Sequence, residues 1–257
     1  MLRQTLALVL VLLGGATSAC GGGDDEAAGG NPPASKSGPA RSTLPQGGEP
    51  FALDPADFTT EIDNPYWPMK PGDRWIYRET NAAGDARRDV VTVTDRTKTI
   101  MGIEAVVVHD VVSEGGQVTE DTFDWYAQDA DGNLWYLGED TKEYENGKLK
   151  TTEGSWEAGV DGALAGIILP ADPQPGLTYR EEYYKGHAED GAQILSLGAL
   201  AKVPYGRFDH ALQTRNFSGI EPDVVEEKFY VRGVGVVLEI TVSGGSDRAE
   251  LLRVGRG

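Results

Sequence analysis

From about residue 64 onward, apolar and polar residues alternate with a period of two, and no stretch sustains a capped amphipathic helix beyond about three turns. Val236, Leu238, Ile240 and Val242 share one face of a run whose other face is Val237, Glu239 and Thr241. Val91 and Val93 alternate with threonines, and Phe123, Trp125 and Ala127 alternate with Thr122, Asp124 and Tyr126. Residues 103–112 are apolar on both faces, which predicts a central strand covered on both sides. Turn chemistry separates these runs: Pro71-Gly72, Gly115-Gly116, Asp131-Gly132, Asn146-Gly147, Gly233 with Gly235, and Gly244-Gly245. Asp131-Gly132 and Asn146-Gly147 sit between strand-like runs and predict tight type I′ hairpins. The chain should therefore be mainly β, an antiparallel curved sheet that forms a half-barrel or barrel.

Landmarks recur at a spacing of 104 residues. Pro71-Gly72 aligns with Pro175-Gly176, Trp75 with Tyr179, Gly102 with Gly206, and Trp125-Tyr126-Ala127 with Phe229-Tyr230-Val231. Slipping by one residue, Gly132 matches Gly235. The order of residue types carries this pattern more than identities do. It predicts two β-meander units, residues 64–150 and 168–254, joined by an inserted loop. One such unit is too thin to bury both faces of its sheet, so the two should combine in a single domain over residues 51–257.

Ahead of that domain the chain has a different character. Arg3, the apolar run 6–13 and the small residues Thr17-Ser18-Ala19 lead to Cys20, the chain's single cysteine. The apolar run is far too short to span a bilayer. The arrangement resembles a bacterial lipobox, with Thr17 in place of the favoured leucine. It predicts a signal peptide over residues 1–19, lipidation of Cys20 with acyl chains such as palmitate, and a cell-membrane location facing outside the cytoplasm. Residues 21–50 hold eight glycines and five prolines with Leu44 as the only large apolar side chain. Such a segment buries too little to offset chain entropy, so it predicts a disordered tether of roughly 30 Å reach.

The 41 acidic against 23 basic residues give a net charge of −18. An acidic surface repels phosphate backbones, so nucleic acid is a poor partner. With Cys20 consumed by lipid, no thiol is left for a disulfide, a nucleophile or a zinc–sulfur site.

Nucleophile elbows, zinc-protease helices, phosphate loops and dinucleotide fingerprints do not occur in the sequence. His109 lies in an apolar run, His187 in a polar turn, and His210 after Asp209; none has metal-ligand spacing to another. Residues 129–133, Asp-Ala-Asp-Gly-Asn, resemble the start of a calcium loop, but Leu134 stands where the sharp turn needs glycine, so a hairpin is favoured. Glu181-Glu182 and Glu226-Glu227 supply paired carboxylates, expected at solvated strand edges. No metal or cofactor is expected. Trp156 stands in a Gly-rich stretch that runs on to Leu164, Ile167, Ile168 and Leu169. This apolar segment either plugs the core or caps a cavity; in the second case Trp156, Leu164, Ile167 and Ile168 contact an apolar ligand.

Residues 64–77, Asn-Pro-Tyr-Trp-Pro-Met-Lys-Pro-Gly-Asp-Arg-Trp-Ile-Tyr, resemble the opening of the globular part of secreted bacterial proteins without assigned activity. Residues 229–237 resemble their closing strand, and residues 153–162 resemble the middle of an uncharacterised actinobacterial lipoprotein family with an all-β extracytoplasmic domain. The resemblance covers most of residues 64–240 and implies no reaction. A curved sheet on a lipid anchor is also similar, as fold analogy alone, to half-barrel lipoprotein carriers of lipid. The resulting expectation is a non-enzymatic, membrane-anchored lipoprotein that binds an apolar ligand, a glycan or an envelope protein. The alternatives are a structural or assembly lipoprotein without a small ligand, and a hydrolase with a dispersed site.

Overall fold

The computed structural model describes residues 44–256. The signal peptide, Cys20 and the tether up to residue 43 lie outside the described residues.

A short 3-10 turn, Pro55–Asp57, leads into strands β1 (Phe58–Thr59), β2 (Asp73–Thr80), β3 (Ala86–Ile100), β4 (Ile103–Glu114), β5 (Gln117–Asp129) and β6 (Leu134–Glu145). Three short strands and one longer one follow: β7 (Lys148–Thr151), β8 (Trp156–Glu157), β9 (Leu164–Leu169) and β10 (Thr178–Arg180) complete the middle of the chain. The last six are β11 (Glu182–Tyr183), β12 (Asp190–Val203), β13 (Gly206–Ser218), β14 (Val225–Val231), β15 (Gly235–Ser243) and β16 (Arg248–Arg256). All pairings are antiparallel, and the sheet curls into a nearly closed barrel with one unsealed seam.

The two halves of the chain thread this sheet in the same order. One half runs β2, β3, β4, β5, β6, β9; the other runs β10, β12, β13, β14, β15, β16, and β16 pairs with β2. The free ends of the sheet, β10 and β11, are consecutive in the chain. β10 pairs with β12 and β11 with β9, so the run 178–183 bends at Glu181 from one edge of the sheet to the other. That bend draws the barrel together. The stretch expected as an inserted loop between the halves is thus partly strand: β8 pairs with β6, and β9 is the last strand of the first half. β9, hydrogen-bonded along both edges to β6 and β11, is a strand of the sheet rather than part of a mobile lid.

Turn chemistry is more varied than the dipeptides suggest. Asn146 and Gly147 have φ of 54° and 72°, the signature of the expected I′ turn. Met101 and Gly102 make a similar turn between β3 and β4 with φ of 51° and 85°, although methionine rarely adopts that region. Asp131 does not adopt positive φ. Its hairpin is instead a longer loop in which Gly132 N–H donates to Asp129 O at 2.9 Å and Asp129 N–H donates to Asn133 O at 3.1 Å. Asp129 spends its carboxylate within that loop, accepting from Asn133 N–H, the Asn133 amide and the Trp135 indole at 2.7–2.8 Å.

The end of the expected tether belongs to the folded domain. Pro45 is buried, its carbonyl accepts from Arg180 N–H at 2.8 Å, and the Gln46 amide donates to Thr178 O at 2.7 Å. The Arg180 guanidinium holds the same segment by Gly47 O and Glu49 O, both at 2.7 Å. Leu44 packs against the core, but most of the anchoring of residues 44–50 is through backbone carbonyls, which a count of hydrophobic residues misses.

Candidate functional site

One end of the barrel interior is aromatic. Trp67 packs edge-on to Trp75 and beside Tyr126 and Tyr230, at centroid distances of 6.0–6.3 Å. Tyr77 donates to Val236 O at 2.9 Å and Trp75 reaches Val234 O, tying β2 to β15 from inside.

Next to these rings the barrel is lined by carboxyl groups. Glu79, Asp89, Asp110, Glu120, Asp124 and Glu139 come from the first half, and Glu181, Glu182, Glu226 and Glu239 from the second; all are buried. The period-two rule places them. Glu120, Thr122 and Asp124 share the inward face of β5, while Phe123 faces outward and stacks on His109 at 4.3 Å. Trp125, on that same outer face, lies under the Lys98 ammonium, 3.3 Å from its ring centroid. The carboxylate pairs expected at solvated edges are mostly interior: Glu181, Glu182 and Glu226 are buried, and only Glu227 reaches outward, where Gln213 donates to it at 2.7 Å. Barrel closure makes the difference, because it turns one polar face into an inside.

Hydroxyls, amides and rings satisfy part of this lining. Tyr136 donates to Asp124 at 2.8 Å, Thr122 to Glu120 at 3.2 Å, and Asn216 to both Glu181 oxygens at 2.9 and 2.7 Å. Two cations enter it. Arg87 lies 3.3 Å from Glu79, and Lys228 lies 4.0 Å from Glu239. The two halves differ here. The cross-strand pair Asp124 and Glu139 on β5 and β6 has as its counterpart Lys228 and Glu239 on β14 and β15.

Burial dominates the titration of these groups. It lifts Glu120 to about 8, helped by Asp110 and opposed by the Thr122 hydroxyl. Asp124 is likewise lifted to about 8 by burial and then by Asp110. Glu181 rises to about 7, its burial partly offset by Lys228 and Asn216. Burial by itself would lower Lys228, but Glu239, Glu181, Glu226 and Asp190 outweigh it and hold the ammonium charged. Much of the lining therefore carries protons near neutral pH, which limits the repulsion among carboxyl groups.

The residues expected to meet an apolar ligand are dispersed. Trp156 is buried, sits edge-on to Tyr136 at 5.4 Å and donates its indole N–H to Glu182 at 2.7 Å. Leu164 is half-buried and pairs with Tyr183 across β9 and β11. Ile167 lies beneath the N-terminal segment beside Phe51 and Trp135. Ile168 borders a small interior cavity of 20 Å³, together with Glu181, Glu182, Asp190 and Lys228. These four side chains thus line no common apolar chamber.

The histidines lie apart. His109 pairs with Asp121 at 2.7 Å, His187 stacks on Tyr184 at 4.4 Å, and His210 is exposed on β13. Among the described residues no three His, Cys, Asp or Glu side chains converge so as to hold a metal ion, and no helix is long and apolar enough to cross a membrane.

No family model and no curated protein matches this chain. Two solved structures resemble it. One is a protein from Bacteroides fragilis described as exported and with a YmcC-like fold, 13% identical, covering 74% of this chain and 99% of its own, with a TM-score of 0.42. The other, from Parabacteroides distasonis, is described as a lipoprotein; it is 12% identical, covers 75% of this chain and 99% of its own, and has a TM-score of 0.37. Both sources are Bacteroidetes rather than actinobacteria. Likeness at this level carries no functional argument.

Proposed function

We propose that this chain is an extracytoplasmic lipoprotein, anchored by lipid on Cys20, whose barrel acts through its outer surface and its seam on an envelope partner. The small, polar-walled cavity beside Ile168 supports this reading. The cavity beside Ile168 measures 20 Å³, room for about one water molecule and not for an acyl chain. Its walls also hold Glu181, Glu182, Asp190 and Lys228, a lining that would strip water from charged groups to admit hydrocarbon. That cavity favours the assembly or partner-binding reading over the carrier analogy.

Two measurements test it. Cys20→Ser should move the chain from the membrane fraction to the soluble extracytoplasmic fraction, since lipid is the attachment proposed. Retention in the membrane would refute the anchor. Mass spectrometry of an organic extract of the purified full chain should find no stoichiometric apolar compound beyond the anchor itself; a one-to-one lipid would restore the carrier reading.

A further inference from the structure

β2 and β3 sort their charges by face. Tyr77, Glu79 and Asp89 turn inward and are buried, whereas Arg74, Arg78 and Arg88 turn outward and are exposed. β16, on the other side of β2, adds Arg248 and Arg253 to the same outer face, opposite Thr80 and Ile76 of β2. Glu250 lies among them and is shared: Arg78 reaches it at 2.7 Å and Arg248 at 2.9 Å. Among the described residues Arg74, Arg88 and Arg253 form no ion pair with a carboxylate.

The register makes this face unfavourable without an outside anion. Arg78 lies directly opposite Arg88 across β2 and β3. Residues so placed have Cβ atoms about 5 Å apart, where like charges repel. One carboxylate beside Arg78, Arg88 and Arg248 leaves positive charge in excess. The whole-chain charge of −18 does not describe this face, because ten of the 41 acidic residues are buried inside the barrel. Salt screens exposed charges farther off than about 8 Å. Apolar side chains are set among the arginines. Ile76 lies between Arg74 and Arg78 on β2, and the bulge between Leu251 and Arg253 turns Leu252 outward, 36% exposed.

We propose that the outer face of β16, β2 and β3 docks on anionic phospholipid headgroups, whose phosphates bridge Arg78 and Arg88 while Ile76 and Leu252 meet the hydrocarbon just below them. A guanidinium holds a phosphate through two parallel N–H bonds, which suits a pair of arginines set side by side. Arg74 and Arg78 are about 13 Å apart along β2, so the face needs a field of anions rather than one small ion. A bilayer supplies that field, and it also receives the aliphatic groups that a soluble acidic partner would leave wet. The proposal takes the nearness of the membrane from the anchor proposed above. β2 stands six strands from β10 in the sheet, about 30 Å around the barrel. Residues 20–44 can extend to about 80 Å, so an anchor at Cys20 lets this face lie on the bilayer. The seam then points away from the membrane.

The test is arginine labelling of the full chain with p-hydroxyphenylglyoxal, read residue by residue by peptide mass spectrometry. It is run on vesicles of phosphatidylcholine alone and of phosphatidylcholine with about 30% phosphatidylglycerol. Arg74, Arg78, Arg88 and Arg253 should react about fivefold more slowly on the anionic vesicles, and high salt should remove that protection. Arg215, exposed on β13, should keep its rate. Arg78→Gln combined with Arg88→Gln should abolish the protection of Arg74 and Arg253 while far-UV circular dichroism is unchanged. Equal rates on the two vesicles, or protection that persists in the folded double variant, would overturn the proposal. So would equal protection by soluble polyglutamate over phosphatidylcholine vesicles, which would mark an acidic protein as the occupant. If the double variant fails to fold, the comparison of vesicles on the parent chain decides by itself. Flotation with phosphatidylcholine vesicles reports the anchor separately; a chain that does not float is labelled with anionic vesicles in excess, so the anchor and the face can fail independently.

Discussion

Raising the pH from 5 to 8 should destabilise this protein, although many proteins are most stable in that range. Glu120 lies on the inward face of β5 with Asp110, Asp124 and Glu143 around it and the Thr122 hydroxyl as its donor. Its folded value of about 8, against an ordinary 4.5, means the folded chain keeps this proton where the unfolded chain has lost it. The stabilisation is complete below the unfolded value and is lost as pH climbs toward the folded one. That interval corresponds to about 5 kcal/mol at most. Glu181, raised to about 7, adds about 3 kcal/mol with the same sign. Both are ceilings, because water entering the seam relieves part of the penalty. Even half of the total, about 4 kcal/mol, approaches the lower end of a typical domain's stability of about 5–15 kcal/mol. Urea unfolding at fixed ionic strength, followed by tryptophan emission at pH 5, 6, 7 and 8, measures the effect. The midpoint should fall steadily. Glu120→Gln keeps the size and the acceptor for Thr122 but cannot ionise, so it should flatten the slope and exceed the parent chain in stability at pH 8. A midpoint that holds or rises from pH 5 to 8, or a Glu120→Gln slope equal to the parent's, would refute the reasoning.

Other substitutions probe the closure of the barrel. A methyl group on Gly166 would collide with the Glu181 carbonyl across β9, so Gly166→Ala should cost about 2 kcal/mol or more in denaturant unfolding. Arg180→Met removes the donors that hold Ala165 O at 2.8 Å and Gly47 and Glu49 O at 2.7 Å; a loss of about 3 kcal/mol and faster proteolysis within residues 44–50 are expected. Trp156→Ala empties a buried site against Tyr136 and strands Glu182, so about 3–5 kcal/mol should be lost; an unchanged melting temperature would mean that Trp156 is not core.

The strands and their hairpins were legible in the residue pattern. Alternation of residue types marks β5 and β15, and the dipeptides at 115–116 and 146–147 mark hairpins. These are local signals: a turn needs particular φ values, and a strand needs a period of two, whatever the rest of the chain does. Which face of a strand turns inward is not local. On β15 the more apolar face ends in Val242, 48% exposed, whereas Glu239 on the opposite face is only 1% exposed. On β5 the polar face, Thr122 and Asp124, is the interior one. Polar residues at alternate positions look the same in sequence whether they meet water or one another. Only closure of the sheet, through the bend at Glu181 and the pairing of β16 with β2, decides between the two. The seam followed the same logic. Residues 44–50 dock by carbonyls, which every residue carries, and Glu182 meets Asp190 because one kinked strand spans both edges of the sheet. Such contacts arise from backbone geometry accumulated around the whole barrel, so no window of sequence contains them.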